Sequence, residues 1–385
     1  MHLCSRALDI ARNINTIFLK MKIQEIISEL ESLAPLHLQE SYDNAGLLTG
    51  NADWECSGII IALDTVEAVV QEAVEKNCNL IVAHHPIIFN GLKKITGKNY
   101  VEKTIITAIK NDISIYAVHT NLDNVSNGVN GKIAAMLGLV NRQILQTKKN
   151  LLKKMNVFVP ATHAEAIRTA IFNAGGGYIG NYSECSFNSS GEGTFKAGGA
   201  TNPFVGKKGE RHTENEIKVE TIFKEWIENE VVKAMLQAHP YEEVAYDIIS
   251  VDNPLPVVGS GIVGSLETAL TETAFLTLIK NTFNLDVIRH TPLTGKMVKK
   301  IAVCGGAGSF LMNAARASGA DFYITADVKY HEFFDAEGKL VIADIGHYES
   351  EQFTIDLLFD ILKKKYTTFA VLKTKVNTNP VSYFI

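Results

Sequence analysis

From residue 21 onward the chain alternates two hydrophobic rhythms. Met21-Lys22-Ile23 opens a segment with Ile26, Ile27, Leu30 and Leu33 on one face, the spacing of an amphipathic helix. Between residues 59 and 147, short apolar runs alternate with helical patterns. Strands are predicted at Ile59–Leu63, Leu80–His84 and Ile113–Val118. Helices are predicted at Val66–Glu75, Val101–Lys110 and Val129–Leu137, the last closed by Gly138. Such alternation implies a parallel sheet with crossover helices.

Near residue 148 the rhythm changes. Residues 154–252 read strand, helix, strand, strand, helix, strand. The strands are placed at Met155–Val159, at Gly177–Tyr182, around Gly193–Lys196 or Ile217–Thr221, and at Glu243–Ser250. The helices fall at Ala164–Ala174 and Phe223–Ala238, and the Gly-, Lys- and Thr-rich stretch Gly191–Thr213 reads as a mobile loop. This is a split β-α-β pattern, the ferredoxin-like arrangement. Asn253-Pro254-Leu255-Pro256 marks a return, after which the α/β theme resumes. Strands are expected at Lys300–Cys304, Asp321–Thr325, Leu340–Ala343 and Thr368–Leu372, and helices at Phe310–Ser318 and Ser350–Lys365. The fold class expected is α/β, in two lobes covering residues 21–149 and 254–385, interrupted by an α+β insertion at 150–253. Residues 1–20 read as an upstream extension, with Met21 as the natural start.

Composition narrows the function classes. The chain has 385 residues, 46% hydrophobic and 21% charged, enough for two or three domains. A net charge of −5 is no electrostatic match for nucleic acid. The basic run Lys148-Lys149 with Lys153-Lys154 reads as a solvated linker. Five scattered cysteines, none in a CxxC pair, argue against a disulfide framework and for a reducing, cytoplasmic setting. No stretch has the apolar length of a membrane span, and the N-terminus lacks a signal-peptide core.

Three strand ends carry the chemistry. Leu80-Ile81-Val82-Ala83 runs into His84-His85-Pro86, where proline ends the strand. The strand ending at Val118 opens onto His119-Thr120-Asn121-Leu122-Asp123. The strand at Leu340–Ala343 opens onto Gly346-His347, with Glu351 four residues on and so on the same side of a starting helix. In open α/β sheets, sites form beyond the carboxyl ends of strands, and histidine with carboxylate is the ligand set for zinc, iron or manganese.

Together these residues resemble the NIF3-like family, described as dinuclear metal-centre proteins and as GTP cyclohydrolase type 2 homologues. The resemblance rests on Tyr42-Asp43-Asn44-Ala45-Gly46-Leu47, His84-His85-Pro86, His119-Thr120-Asn121-Leu122-Asp123, Thr325-Ala326-Asp327 with Lys329-Tyr330-His331, and Gly346-His347 with Glu351. The middle segment resembles the PII-like or CutA-like insertion of longer members, marked by His239-Pro240-Tyr241-Glu242-Glu243-Val244-Ala245-Tyr246-Asp247. The resemblance implies two similar α/β lobes, a metal pair between them and a hexameric ring. It places the metal ligands on His84, His85, Asp123, His347 and Glu351. Ala326 departs from the glycine that many members have before the acidic residue.

Five ligands cannot fill two coordination spheres, so open positions and a bridging carboxylate, Glu351, are expected. Two divalent ions per chain exceed the charge of Asp123 and Glu351, which favours a small anionic substrate. His119 is assigned to orienting a ligand or moving a proton, or else to a structural role. His331 and Asp327, four apart, are read as general acid or base, with helix capping as the other reading of Asp327. Asp43 and Asn44 either contact substrate or form an ordinary turn. Gly306, in the turn Gly305–Ser309, either offers its N–H to a phosphate or closes a tight structural turn. Two functions follow: a metal-dependent hydrolase acting on a nucleotide-like or phosphate-bearing substrate, or a non-catalytic metal-binding scaffold.

Overall fold

A computed structural model describes residues 21–384; the extension expected at 1–20 lies outside the described residues. Strands are numbered here along the chain. The first core sheet runs, edge to edge, β1 (Gly46–Thr49), β4 (Ser114–Ala117), β3 (Leu80–Ala83), β2 (Ile59–Ala62) and β15 (Val371–Lys373). All are parallel except β1. β2, β3 and β4 are buried along their whole length, which explains why they read as unbroken apolar runs.

The second core sheet runs β11 (Arg289–His290), β14 (Val341–Asp344), β13 (Phe322–Ala326), β12 (Met297–Ala307), β10 (Gly259–Thr271) and β5 (Val140–Thr147). β12, β13 and β14 form its parallel centre. The sheets do not divide where the sequence rhythm does. β5 lies before the middle segment yet pairs with β10, and β15 leaves the second half of the chain to pair with β2. One continuous core joins the sheets: Ile59, Val82 and Tyr116 belong to the same cluster as Val303, Ile324 and Val341. Leu358 and Leu362 of the helix Thr354–Lys365 pack into it.

The third sheet is antiparallel, in the order β7 (Ser186–Lys196), β8 (Arg211–Lys224), β6 (Leu152–Pro160), β9 (Tyr246–Val251). Helices Ala164–Asn173 and Glu228–Ala238 share a separate core with alternate strand residues, among them Met155, Val157, Val219 and Phe223. The helix expected at Phe223–Ala238 starts only at Glu228, because Phe223 and Lys224 end β8. Two further expectations fail here. Gly191–Thr213 is not a loop throughout: β7 and β8 pair from Ser186–Thr221 to Lys196–Arg211, and only the residues between leave the ladder. Gly177–Tyr182 is not a strand but a turn closed by an Ile179–Tyr182 bridge. β7 is largely exposed on both faces, and between Phe187 and Phe195 it holds only polar residues and glycines, so its alternation carries no hydrophobic signal.

Among the described residues no helix is long and apolar enough to cross a membrane.

Candidate metal centre

The chemistry-bearing residues follow the carboxyl ends of parallel strands in both core sheets and meet between them. His84 and His85 follow β3. The His84 ring is fully buried and donates from Nδ1 to the Val118 carbonyl at 2.8 Å, which turns Nε2 inward. His85 meets Asp64 Oδ1 through Nδ1 at 2.7 Å, and its Nε2 lies 2.9 Å from Glu351 Oε2. Past β14, the helix His347–Glu351 puts His347 Nε2 3.0 Å from the same Oε2 and 3.4 Å from His85 Nε2. His347 Nδ1 is held by Asp327 Oδ2 at 2.7 Å.

The other Glu351 oxygen faces a second set. His84 Nε2 lies 3.8 Å from Glu351 Oε1 and 3.7 Å from Asp123 Oδ1. These separations are too long for hydrogen bonds. His84 Nε2 and Asp123 Oδ1 are both buried without a hydrogen-bond partner. Buried polar atoms normally find one, and three converging donors around a gap of this width suit a cation. The residues present therefore fit a metal. Ligand atoms of His84, Asp123 and Glu351 lie within 4.8 Å of one another, as do those of His85, His347 and Glu351. The backbone is shaped around Glu351: Gly306 has φ +60°, and a Cβ there would stand 2.3 Å from Oε1.

Without metal the cluster holds protons. Burial opposes a charged His347, but hydrogen bonds to Asp327 and Glu351 outweigh it and push its pKa up to about 11. His85, gripped by Asp64 and Glu351 against the same burial, is raised to about 9. Burial also opposes the Glu351 carboxylate, yet the surrounding histidines hold it well below the usual range. Asp123 is raised to about 7, by burial first and by the Glu351 charge second.

The remaining predicted residues divide. The short helix Thr120–Asp123 folds the segment back, so His119 and Asp123 line one cavity, and a His119 ring nitrogen joins those of His84 and His85 within 4.8 Å. Asn121 fixes that turn by accepting from the His119 N–H and donating to the Ala34 carbonyl. Asp43 lies behind His119. Its side chain is fully buried, bonded to His119 Nδ1 at 2.7 Å and to the Thr120 hydroxyl. Burial opposes its charge, but these bonds lower its pKa to about 2. Asn44 donates to the Ile88 carbonyl at 2.6 Å, a contact between segments distant in sequence. The Gly306 N–H donates to Ser350 Oγ at 3.0 Å and is not free for a phosphate.

Asp327 is spoken for by His347, so it positions that ring and is no free acid or base. His331 is exposed on the 3-10 turn Tyr330–Ala336, against Tyr330 and Phe334, and lines neither cavity beside the cluster. Sequence reasoning missed Asp64, although it too follows an apolar strand.

Two cavities flank the cluster. One, of about 390 Å3, touches His85, His119, Asp123, His347 and Glu351, with Tyr42, Phe89 and Phe310 at its rim. These three rings are 63%, 46% and 61% exposed, an apolar border for a ligand reaching the cluster. The other, of about 470 Å3, lies beyond His85 and His347 and is bordered by Asn379, Val381 and Tyr383.

The chain is 41% identical over 367 residues to a Halalkalibacterium halodurans protein named GTP cyclohydrolase 1 type 2 homolog, covering 94% of this chain and 98% of that one. A Bacillus subtilis protein of the same name is 37% identical over 370 residues, with coverages of 94% and 98%. A solved Bacillus cereus structure, described as a protein related to NIF3, superposes with a TM-score of 0.82 at 38% identity, covering 95% of this chain and all of that one. The family profile of Duf34/NIF3 (NGG1p interacting factor 3) matches residues 21–380. By these matches and by the arrangement of its strand-end histidines, the chain belongs to the Duf34/NIF3 family.

Proposed function

We propose that this chain is a hydrolase using two divalent ions, zinc, iron or manganese, on a nucleotide-like or phosphate-bearing substrate. One observation carries the reading: Glu351 turns Oε1 toward His84 and Asp123, and Oε2 toward His85 and His347. A carboxylate shared in this way is suited to bridging two ions. Bound ions would supply an ionised water near neutral pH and polarise the scissile group. The name GTP cyclohydrolase 1 type 2 homolog, borne by the relatives above, points the same way.

His119 is the group we assign to proton transfer. Asp43 stays ionised and holds Nδ1, which leaves Nε2 to the cavity and to its contents. The aromatic rim of Tyr42, Phe89 and Phe310 suits a planar heterocycle. Two divalent ions would carry four positive charges, of which Asp123 and Glu351 return two. Asp64, Asp327 and Asp43 lie behind the histidines, and their three charges more than offset the two that remain. Direct coordination at the open positions, more than long-range attraction, would hold an anionic substrate. By likeness to the family we take the assembly to be a homo-hexamer.

The test is elemental analysis of purified protein joined to a metal-reloaded activity screen over nucleotides, phosphoesters and ring amides. Close to two ions per chain is expected, with turnover that chelation abolishes and Mn²⁺, Fe²⁺ or Zn²⁺ restores. A folded, metal-replete protein with no ion sinks the centre. A loaded protein inert across the panel favours the scaffold reading.

A further inference from the structure

The third sheet has helices on one face only, and its other face is hollowed. Alternation along β8 sends Val219 and Phe223 into the helix-side core and Glu216 and Lys218 to the opposite side. From β7, Gly191, Gly193 and Phe195 share that opposite side. Gly191 faces Glu216 across the ladder, and nothing lies within 4 Å of where its Cβ would stand. A Cβ at Gly193 would stand 2.1 Å from Glu216 Oε2, so glycine there lets the carboxylate lie across the strand.

Two segments fold over this floor. His239 is buried, donates from Nε2 to the Phe158 carbonyl and accepts the Tyr241 N–H at Nδ1, both at 3.1 Å. Burial lowers its pKa, consistent with the neutral ring these two bonds require. His239 thereby fixes Tyr241, whose hydroxyl donates to Glu216 Oε1 at 3.1 Å. The β7–β8 connection crosses from the other side and is tied down by the Asn202 N–H on Glu242 Oε1 at 2.8 Å.

The result is a cavity of about 650 Å3 bordered by four aromatic residues, Phe158, Phe195, Phe204 and Tyr241. Phe195 and Phe204 lie 6.1 Å and 6.3 Å from Tyr241, centroid to centroid, inclined at 59° and 51°. Its border carries Glu192, Glu216, Glu242 and Glu243 against Lys196 and Lys218. Lys218 is already paired with Glu220, outside the cavity. Aromatic faces inclined around a carboxylate attract a cation with an apolar body, by ring quadrupole and by charge together.

We propose that this cavity binds a small organic cation, an ammonium on an apolar body, set among Phe195, Phe204 and Tyr241 with its charge against Glu216. The site is separate from the metal centre and stands or falls without it.

The experiment is calorimetric titration of the full metal-loaded chain with choline and with its uncharged carbon isostere, 3,3-dimethylbutan-1-ol. Choline is expected to bind saturably, at least tenfold tighter than the isostere. Glu216→Gln and Tyr241→Ala should each weaken it at least tenfold with metal content unchanged, while Tyr241→Phe, which keeps the ring, should retain most of it. Should Tyr241→Ala fail to fold, Glu216→Gln decides the matter. Absence of choline binding, equal binding of the isostere, or indifference to Glu216→Gln overturns the proposal.

Discussion

Asp64 Oδ1 and His85 Nδ1 lie 2.7 Å apart, and this contact fixes which edge of the imidazole meets Glu351. The carboxylate is itself steadied by the Thr378 hydroxyl, 2.7 Å from Oδ2. Outer carboxylates of this kind orient the ring and raise its basicity. Asp64→Ala should weaken metal binding by roughly 10- to 100-fold, with the fold intact. Competition against a chelator of known affinity measures it, and unchanged affinity would show that His85 needs no such support.

Gly306 tests the other side of the same carboxylate. Alanine would drive a methyl against Glu351 Oε1 and hold a left-handed φ of +60°. We expect Gly306→Ala to cost about 1–3 kcal/mol of stability from backbone strain and to lower metal stoichiometry. Gly91, with nothing within 4 Å of its Cβ position, is the control. Full metal content in Gly306→Ala would mean that the carboxylate can move aside without losing its ions.

Metal loading should release protons. With pKa values raised to about 9 and about 11, His85 and His347 are protonated near pH 7 in the metal-free protein. Metal displaces those protons, so affinity rises with pH across this range. Titration in two buffers of different ionisation enthalpy should count between two and three protons released per chain at pH 7, one from each histidine and part of one from Asp123, raised to about 7. Stability of the metal-free form runs the other way. A histidine raised above its unfolded value stabilises the fold fully below about pH 6.5. That contribution is lost as pH climbs through about 9 and then about 11. The Tm gap between loaded and metal-free protein should therefore widen with pH; a constant gap contradicts the assignment.

The two remaining histidines should behave differently. His119→Ala is expected to lower turnover by about 10²-fold, the scale of a lost proton-transfer group, while His331→Ala leaves it unchanged. Steady-state kinetics on any substrate found in the screen decide this. The reverse pattern would return His331 to the site and leave His119 as mere support for the cavity wall.

The middle segment should be removable. Thr147 of β5 and Gly259 of β10 face each other across an antiparallel ladder, so a tight turn can join them. Replacing residues 148–258 by Asn-Gly should leave a folded, metal-binding core, read by circular dichroism and metal content. Loss of both together would show that the core cannot spare Leu151, Trp226, Leu255 and Val258, the residues of this segment that pack on it.

Much of this site was legible because β3, β4 and β14 are short apolar runs ending in histidine or leading to it. The spacing of His347 and Glu351 predicted a shared face, and one helical turn delivers it. The same spacing misled for Asp327 and His331. Asp327 has φ +54° and the turn after it is a 3-10 helix, so residues four apart do not share a face. Asp64 and Asp43 were harder to read. A single aspartate beyond a strand or in a turn is ordinary chemistry, and only the partner ring, far away in sequence, gives it a role. The exchange of β5 and β15 between sheets leaves no local pattern, since a parallel edge and an antiparallel one are written in the same residues.

The register that pairs Thr147 with Gly259 also bears on how the chain folds. Formed from an open chain, that hairpin must close a loop of roughly 110 residues. β6 and β9 bring Leu152 opposite Val251, so the third sheet, once folded, holds its own two ends side by side. The loop left to close is then about ten residues, and the entropic barrier falls by about 2 kcal/mol. Early folding of the middle segment would thus act as a splint for the sheet behind it, drawing together the two strands that flank it.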